Sequence, residues 1–420
     1  MRVVHLLRKY NPAEWGGTET AIQRLFEGLR QHRVTSVAYC PRIENSHTTD
    51  PLTESGFEVK RFRACVPIWG IPTEHKRQLI AVGGNLMSFD LIARLAREPN
   101  VAVMHTHTLG RLGGVALTAA RLRRIPFVVT IHGGVLDLPE PLKQSLRNAH
   151  TGGLEWGKLF GALVGSRRLL DSAEAVITCN RREAALLKEK HPGKRIVVQP
   201  HGVPTSLYRK DHRETAREAF PSIQGKRLVL AVGRIDPVKN QAWLIEQSTE
   251  LFGRHPDAIL VLAGACTHAA YGEALKREID RLGLHSRVLL TGGLPPGDAR
   301  LIGLFQSAEV TVLPSVSETF GLVILEAWAA GTTVISSRTS GALDLIRHGE
   351  NGWLFDLGAP QTLHQAVDWA LRQPELKSRL AAAGGKVASE EYDTTVLAGR
   401  MKNLYEQLIA EKNALRNSAR

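Results

Sequence analysis

Val310-Thr311-Val312-Leu313-Pro314-Ser315-Val316-Ser317-Glu318-Thr319-Phe320-Gly321-Leu322-Val323-Ile324-Leu325-Glu326-Ala327 is the stretch from which the fold is read. Residues 310–314 are apolar or β-branched and end in proline, the pattern of a buried strand. A polar turn follows, and Phe320-Gly321 then opens an apolar helix expected over 322–330. A strand that feeds a helix through a short turn is the repeating unit of a parallel α/β sheet. Glu318 falls on the turn above the strand and Glu326 inside the helix, so two carboxylates eight positions apart can address one ligand. The helix start at Gly321 offers unpaired backbone N–H groups and the positive end of a helix dipole, which suit a diphosphate. The plain alternative makes Glu318 a neighbour of the helix cap and Glu326 a solvated helix residue.

The same rhythm runs through the whole chain. Apolar runs bounded by Gly, Pro or polar residues predict strands at 228–233, 258–263, 288–291 and 333–336 around the first one, and an earlier series at 3–7, 34–40, 57–62, 101–105, 127–132, 175–179 and 196–199. Between the two series lie His201-Gly202-Val203-Pro204 and the polar stretch 209–218, read as a hinge. The expected architecture is α/β, with two doubly wound Rossmann-like domains facing across a cleft, because ligands of such sheets bind beyond the carboxyl ends of the strands. The first domain is placed at 1–205 and the second at 206–395. Residues 396–420 read as a helix with a polar tail, able to cover the second sheet or to cross back to the first domain.

Composition supports this and excludes other classes. Of 420 residues, 43% are hydrophobic and 23% charged, which rules out collagen-like, disordered and coiled-coil chains. Charge is divided unevenly. Residues 1–210 carry 31 Lys and Arg against 17 Asp and Glu, whereas residues 211–420 carry 23 against 24. Either the first half meets something anionic, or it keeps a basic face for solubility. Cys40, Cys65, Cys179 and Cys266 are far apart, so neither a disulfide framework nor a thiolate zinc site is written, and a reducing, cytoplasmic setting is expected. No stretch approaches the roughly 20 apolar residues of a membrane span. Nucleic acid is not an expected partner, because aromatics are 6% and no stacking platform accompanies the basic residues.

A second cluster begins the second series. Gly233-Arg234-Ile235-Asp236-Pro237-Val238-Lys239-Asn240 places an Arg just after a strand and a Lys at the opening of a helix, where two fixed cations can stabilise a departing pyrophosphate without a metal. The plain alternative for Arg234 is a surface ion pair with Asp236. Histidines form the rival constellation. His105 and His107 close one strand, and His132 and His201 close others, the way a zinc-dependent hydrolase on an α/β barrel gathers its ligands. No carboxylate or Lys completes that set. Gly152-Gly153-Leu154-Glu155-Trp156-Gly157-Lys158-Leu159 has the spacing of a phosphate-binding loop but lacks the hydroxyl after Lys and a preceding strand. The next helix sets Trp156, Leu159, Phe160, Leu163, Leu169 and Leu170 against Lys158, Arg167 and Arg168. It is expected to pack on its own sheet, the alternative being rest on an anionic membrane.

Taken together these residues resemble the retaining GT-B glycosyltransferases of family four, glycosyl transferases group 1. The matching pieces are Gly16-Gly17-Thr18-Glu19, Thr130-Ile131-His132-Gly133, the segment Gly233 to Asn240, Ser317-Glu318-Thr319-Phe320-Gly321 with the helix through Ala327, and Asn351-Gly352-Trp353-Leu354. The resemblance implies transfer of a hexosyl unit from a nucleotide sugar such as UDP-glucose, GDP-mannose or UDP-N-acetylglucosamine to a glycan or lipid-linked acceptor, with no metal and no cofactor. It implies that Arg234 and Lys239 neutralise the diphosphate, that Glu326 holds the ribose and that Glu318 holds hydroxyls of the transferred sugar. Backbone amides around Phe320, Gly321, Leu322 and Val323 would meet phosphate or sugar oxygens, and the peptide at Gly293-Leu294 the base. Gly16 and Gly17 would approach the diphosphate closely, and His132 would contact the donor sugar. Two positions depart from the family pattern, His201 where Asn is common and Asp344 where Glu is common. Front-face, substrate-assisted transfer is the expected mechanism, since the first half shows no obvious nucleophile: Asp137 and Glu140 follow His132 on a Pro-rich loop. A sugar-nucleotide epimerase on the same architecture is the enzymatic alternative.

Overall fold

The computed structural model describes residues 1–10, 16–42, 50–73, 76, 79–80, 86–133 and 154–418. The chain divides into two compact units. One comprises Met1–Pro200 and Thr395–Arg420, the other His201–Thr394.

In the first unit, short β-branched and apolar runs form β1 (Arg2–Leu6), β2 (Thr35–Pro41), β3 (Glu58–Phe62), β5 (Val101–Thr106), β6 (Phe127–Ile131), β8 (Ala175–Thr178) and β9 (Ile196–Val198), while β4 (Ile68–Trp69) and β7 (Leu154–Glu155) pair as a small antiparallel ribbon. The seven longer strands make one parallel sheet in the order β3-β2-β1-β5-β6-β8-β9. Because side chains alternate across a strand, Val4, Met104 and Val129 pack on one face with Leu112, Val115 and Ala119 of the helix Gly110–Arg123. Val3, Val103 and Val128 pack on the other face with Ala398, Met401, Tyr405 and Leu408 of the helix Thr394–Ser418. The C-terminal helix therefore covers the first sheet, not the second. Neither this sheet nor the next closes on itself, so the barrel that a histidine-based hydrolase would need is not formed.

The second unit holds β10 (Arg227–Val232), β11 (Ala258–Ala263), β12 (Val288–Gly292), β13 (Ala308–Leu313), β14 (Val334–Ser337) and β15 (Trp353–Phe355), all parallel, in the order β12-β11-β10-β13-β14-β15. All six residues of β11 are buried, as expected of a strand covered on both faces. Leu244 and Ile245 from the helix Gln241–Arg254, and Leu363 and Val367 from Gln361–Arg372, join Val229, Leu260, Val310 and Ile335 in the core. The polar stretch 209–218 is not a free hinge. It forms the helix Arg213–Ala219, whose turn is held to Ala299–Ser307 by the His212 N–H on the Gln306 side-chain oxygen at 2.8 Å.

Candidate active site

In the second unit the chain leaves β10 to one side and returns to add β13 on the other, which makes the carboxyl edge between these two strands the switch point of the sheet. The loop after β10 carries Arg234 and Lys239, and the loop after β13 carries Glu318. The two loops are joined by the backbone: the Val316 N–H donates to the Val238 carbonyl at 2.9 Å. Lys239 Nζ then pairs with the Glu318 carboxylate, both side chains being largely buried. Asp236 shapes the first loop. One carboxylate oxygen accepts the N–H groups of Val238 and Lys239 at 3.0 and 3.1 Å, and the other meets the Arg234 guanidinium at 3.1 Å. Arg234 is half exposed and does form the ion pair with Asp236 that the plain alternative foresaw. The Gln241 amide holds the Arg234 carbonyl at 2.8 Å, and Asn240 takes the left-handed conformation (φ 59°) that turns the chain into the following helix.

The turn after β13 enters the helix Leu322–Ala329 through Gly321, whose φ of 93° a side chain would strain. Glu326 lies in that helix and is 6% exposed, so it is not the solvated residue of the plain alternative. Leu322 and Val323 are half-buried on its first turn, and Phe320 is buried with the His201 ring edge-on at 5.0 Å. Leu294 is half-buried in the loop after β12, on the same carboxyl edge of the sheet. Two supports escaped the sequence reading. The Gly341 N–H and the Ser340 hydroxyl both donate to the Glu318 carbonyl, at 2.8 and 3.2 Å. A Cβ on Gly341 would lie 2.5 Å from the Phe320 carbonyl carbon. The only sequence signal for this was a glycine just after a strand.

In the first unit, Gly16 and Gly17 follow β1 at the start of the helix Gly17–Gln31, where the Glu19 carboxylate accepts the Gly16 N–H at 3.1 Å. His132 comes directly after β6. It does not stand alone: His132 Nε2 is 2.8 Å from His107 Nδ1, and His107 Nε2 is 3.0 Å from His5 Nδ1. His105 lies beside them, its ring nitrogens 2.6 Å from the hydroxyls of Thr130 and Tyr405. Burial, first, and neighbouring imidazoles, second, push the protonation of His5 and His105 well below the ordinary histidine range. His5 was missed in the sequence because it is a strand-interior position, where a histidine is indistinguishable from a core residue. Nitrogens of His5, His105 and His107 lie within 4.8 Å of one another, which is the geometry a metal could exploit. Here both nitrogens of His105 are engaged by hydroxyls, and His5 and His107 bond each other. His201, the remaining histidine of the rival constellation, belongs to the second unit and packs on Phe320.

The membrane-like segment is not one helix. It breaks into the helix Lys158–Leu163, the 3-10 turn Ser166–Arg168 and the short helix Leu169–Ser172. Leu169 is buried, but Leu159 and Leu163 are exposed, as are Trp69 and Phe89, and the Trp156 ring lies 6.5 Å from Phe89, nearly parallel to it. Leu169, Phe160 and Leu170 pack on the core of the first sheet as expected, whereas the same expectation is corrected for Leu159 and Leu163. Asp137, Glu140 and Gly152-Gly153 lie outside the described residues. All four cysteines are free, and no helix among the described residues is long and apolar enough to cross a membrane.

Two open parallel sheets of this order, each with helices on its faces, define a GT-B glycosyltransferase fold. The family described as glycosyl transferases group 1 matches residues 212–387, and the glycosyl transferase 4-like domain matches residues 16–202. The chain is 25% identical over 360 residues to the D-inositol 3-phosphate glycosyltransferase of Corynebacterium glutamicum, covering 83% of this chain and 82% of that one. It is 28% identical to the protein of that name from Acidothermus cellulolyticus, over 77% of this chain and 71% of that one. Among solved structures, HepE of Anabaena in complex with UDP superposes with a TM-score of 0.73 at 20% identity, over 97% of this chain and 100% of that one. The sucrose-phosphate synthase of Thermosynechococcus elongatus gives 0.71 at 21% identity, over 98% and 100%. The chain belongs to the glycosyl transferases group 1 family and is a glycosyltransferase.

Proposed function

We propose that this glycosyltransferase moves a hexosyl unit from a nucleoside-diphosphate sugar to an acceptor hydroxyl, with retention of the anomeric configuration and without a metal. The observation that carries this reading is the meeting of Lys239 and Glu318 at the switch point between β10 and β13, beside the Gly321 helix start. Arg234 and Lys239 neutralise the leaving diphosphate there, the role a divalent cation would otherwise fill. The helix start receives phosphate oxygens. Glu318 holds hydroxyls of the transferred sugar, Glu326 holds the ribose, and the peptide at Gly293-Leu294 meets the base. In the first unit, Gly16 and Gly17 approach the diphosphate and His132 meets the donor sugar. The bond from the anomeric carbon to the phosphate oxygen breaks as the acceptor oxygen bonds on the same face, and the acceptor proton passes to the leaving phosphate oxygen.

HepE has been seen with UDP and with UDP-glucose, which favours a uridine diphosphate donor here over GDP-mannose. The acceptor is read as anionic or lipid-linked, in polysaccharide or glycolipid assembly. The D-inositol 3-phosphate named for the relatives is an anionic polyol, and the excess of basic over acidic residues in 1–210 suits such an acceptor. Exposed Leu159, Leu163, Trp69 and Phe89 beside Lys158 and Arg167 support peripheral contact with an anionic membrane from the cytoplasmic side. A thermal-shift panel of UDP, GDP and ADP sugars in the presence of chelator tests the donor and the metal together. Stabilisation by one nucleotide sugar with chelator present is expected. Stabilisation only when a divalent ion is added, or release of a changed sugar nucleotide with no acceptor present, would overturn the reading.

A further inference from the structure

The helix Gln241–Arg254 opens two residues after Lys239, so its first turn fixes where that lysine stands. A helix start leaves backbone N–H groups without partners inside the helix, and a Ser, Thr, Asp or Asn just before it ordinarily accepts one of them. Asn240 occupies that position, but its backbone is left-handed and its side chain makes no such bond. The acceptor comes from another helix instead. The Ala242 N–H donates to the hydroxyl oxygen of Tyr271 at 3.0 Å, and the Gln241 N–H interacts with the same oxygen. Tyr271 stands on the first turn of the helix Ala269–Arg281, which follows β11, and its own N–H is held by His268 Nδ1 at 3.2 Å. The half-buried ring packs on the core of the second unit. A backbone bond on the same side, from the Ile235 N–H to the Ala265 carbonyl at 2.9 Å, ties the front of the segment 234–239 to the loop after β11. That segment is thus braced at its front by Ala265, in its middle by Asp236 and at its end by Tyr271.

We infer that Tyr271 is a positioning residue for the donor site: its hydroxyl caps the helix that follows Lys239 and so holds Arg234 and Lys239 in the arrangement that grips a diphosphate. The inference rests on the diphosphate reading of those two cations given above. The ring alone does not suffice, because phenylalanine would fill the same volume and leave the helix N–H groups without their acceptor. A first turn that loses its cap frays, and apparent affinity then falls with the fraction of molecules in which the loop is formed. Gln241 sits on that turn, and its side-chain amide holds the Arg234 carbonyl at 2.8 Å, so fraying also releases the Arg234 end of the loop. One hydroxyl from the neighbouring β-α unit therefore governs both cations.

The test is Tyr271→Phe in the full-length protein, which removes the hydroxyl and keeps the ring. With UDP as the probe, or GDP should the thermal-shift panel select it, calorimetric affinity is expected to fall about fivefold, the scale of one helix cap. Hydrogen exchange of the Gln241 and Ala242 amides should accelerate, while the acceptor KM stays unchanged. A double-mutant cycle separates positioning from a general loss of stability: in a Lys239→Ala background the same change should cost about twofold at most, because the group it places is gone. Equal cost in both backgrounds would overturn the inference. Unchanged affinity in a folded Tyr271→Phe, beside a loss in Lys239→Ala, would sink the inference alone and leave the diphosphate reading standing. Unchanged affinity in Lys239→Ala would remove that reading and the inference with it. Should Tyr271→Phe not fold, exchange in the wild type decides: protection of the Gln241 and Ala242 amides without ligand is expected, and exchange at the rate of an open chain would refute the cap.

Discussion

The backbone N–H of Val316 donates to the carbonyl of Val238 across 2.9 Å, and this bond ties the loop that carries Glu318 to the loop that carries Lys239. Lys239 and Glu318 are 79 positions apart in the chain. Their pairing depends on two adjacent parallel strands ending at the same level and on this link between the loops above them.

Val316→Pro removes the N–H and should loosen the link, while the exposed Val316 side chain makes Val316→Ala a control for its loss. The expected cost to stability is about 0.5–1.5 kcal/mol, with nucleotide-sugar affinity down at least about tenfold in Val316→Pro and unchanged in Val316→Ala. Urea unfolding and calorimetric titration read the two quantities. Equal affinity in both variants would show that the link does not organise the site.

Lys239→Ala and Glu326→Ala each remove a group proposed to grip the donor. Lys239→Ala also strands Glu318, and truncating one partner of a hydrogen-bonded charge pair costs about 2–5 kcal/mol, a loss of about thirtyfold or more. That loss should appear in binding or in kcat/KM while the circular dichroism spectrum stays native. Unchanged kinetics in both variants would refute the assignment of the site.

Gly341→Ala should be out of proportion to its size. Its new methyl would have to displace the Phe320 backbone, on which the Glu318 turn also rests, and overpacking of this kind costs about 1–3 kcal/mol. Gly358→Ala, with nothing within 4 Å of the added carbon, is the matched control. A lower melting temperature and weaker donor binding are expected for the first variant only.

Much of this architecture was legible beforehand, and the reasons are local. Val310 to Pro314 announces β13 because a buried parallel strand must be apolar throughout, and Gly321 announces the helix start because only glycine tolerates its φ. The same logic located β10 and the Arg234 to Lys239 loop. Trp353–Phe355 escaped because three residues carry no periodicity, and 209–218 misled because a short amphipathic helix with one buried face reads as polar linker. The hydrogen bonds from Ser340 and Gly341 to Glu318 escaped for a different reason. They join loops distant in sequence, and neither residue type signals its partner. His5 was illegible on the same ground, since its meaning comes only from His107 and His132 across the sheet.

Acid should weaken the first unit before ordinary carboxylate titration begins. His5 and His105 have depressed folded-state pKa values, so above about pH 6.5, where the unfolded chain is also neutral, they add no pH dependence. Below that value the unfolded chain binds protons that the folded one refuses, so stability falls as pH falls. The slope approaches about 1.4 kcal/mol per pH unit for each histidine. Hydrogen exchange of the β1 and β5 amides between pH 7 and 5.5 should show it, and His5→Asn should remove about half. A flat profile would mean that both imidazoles take up protons in the folded protein as readily as in the unfolded chain.

Leu159→Asp combined with Leu163→Asp should reduce cosedimentation with vesicles rich in acidic lipid at low salt, leaving transfer to a soluble acceptor intact. The wild-type protein should show little affinity for neutral vesicles. Equal sedimentation with both lipid types would argue that these exposed leucines meet another partner.

The helix Thr394–Ser418 supplies Ala398, Met401, Tyr405 and Leu408 to a core that begins with Val3. During synthesis, therefore, the unit started first is finished last. At about 5–20 residues per second, the ribosome needs roughly 10–40 s to deliver His201–Thr394 before the closing helix emerges. The nascent amino-terminal sheet spends that interval with an uncovered apolar face, which makes it the natural client of a holding chaperone. A released chain truncated after residue 394 should show a protease-sensitive first unit and a resistant second one.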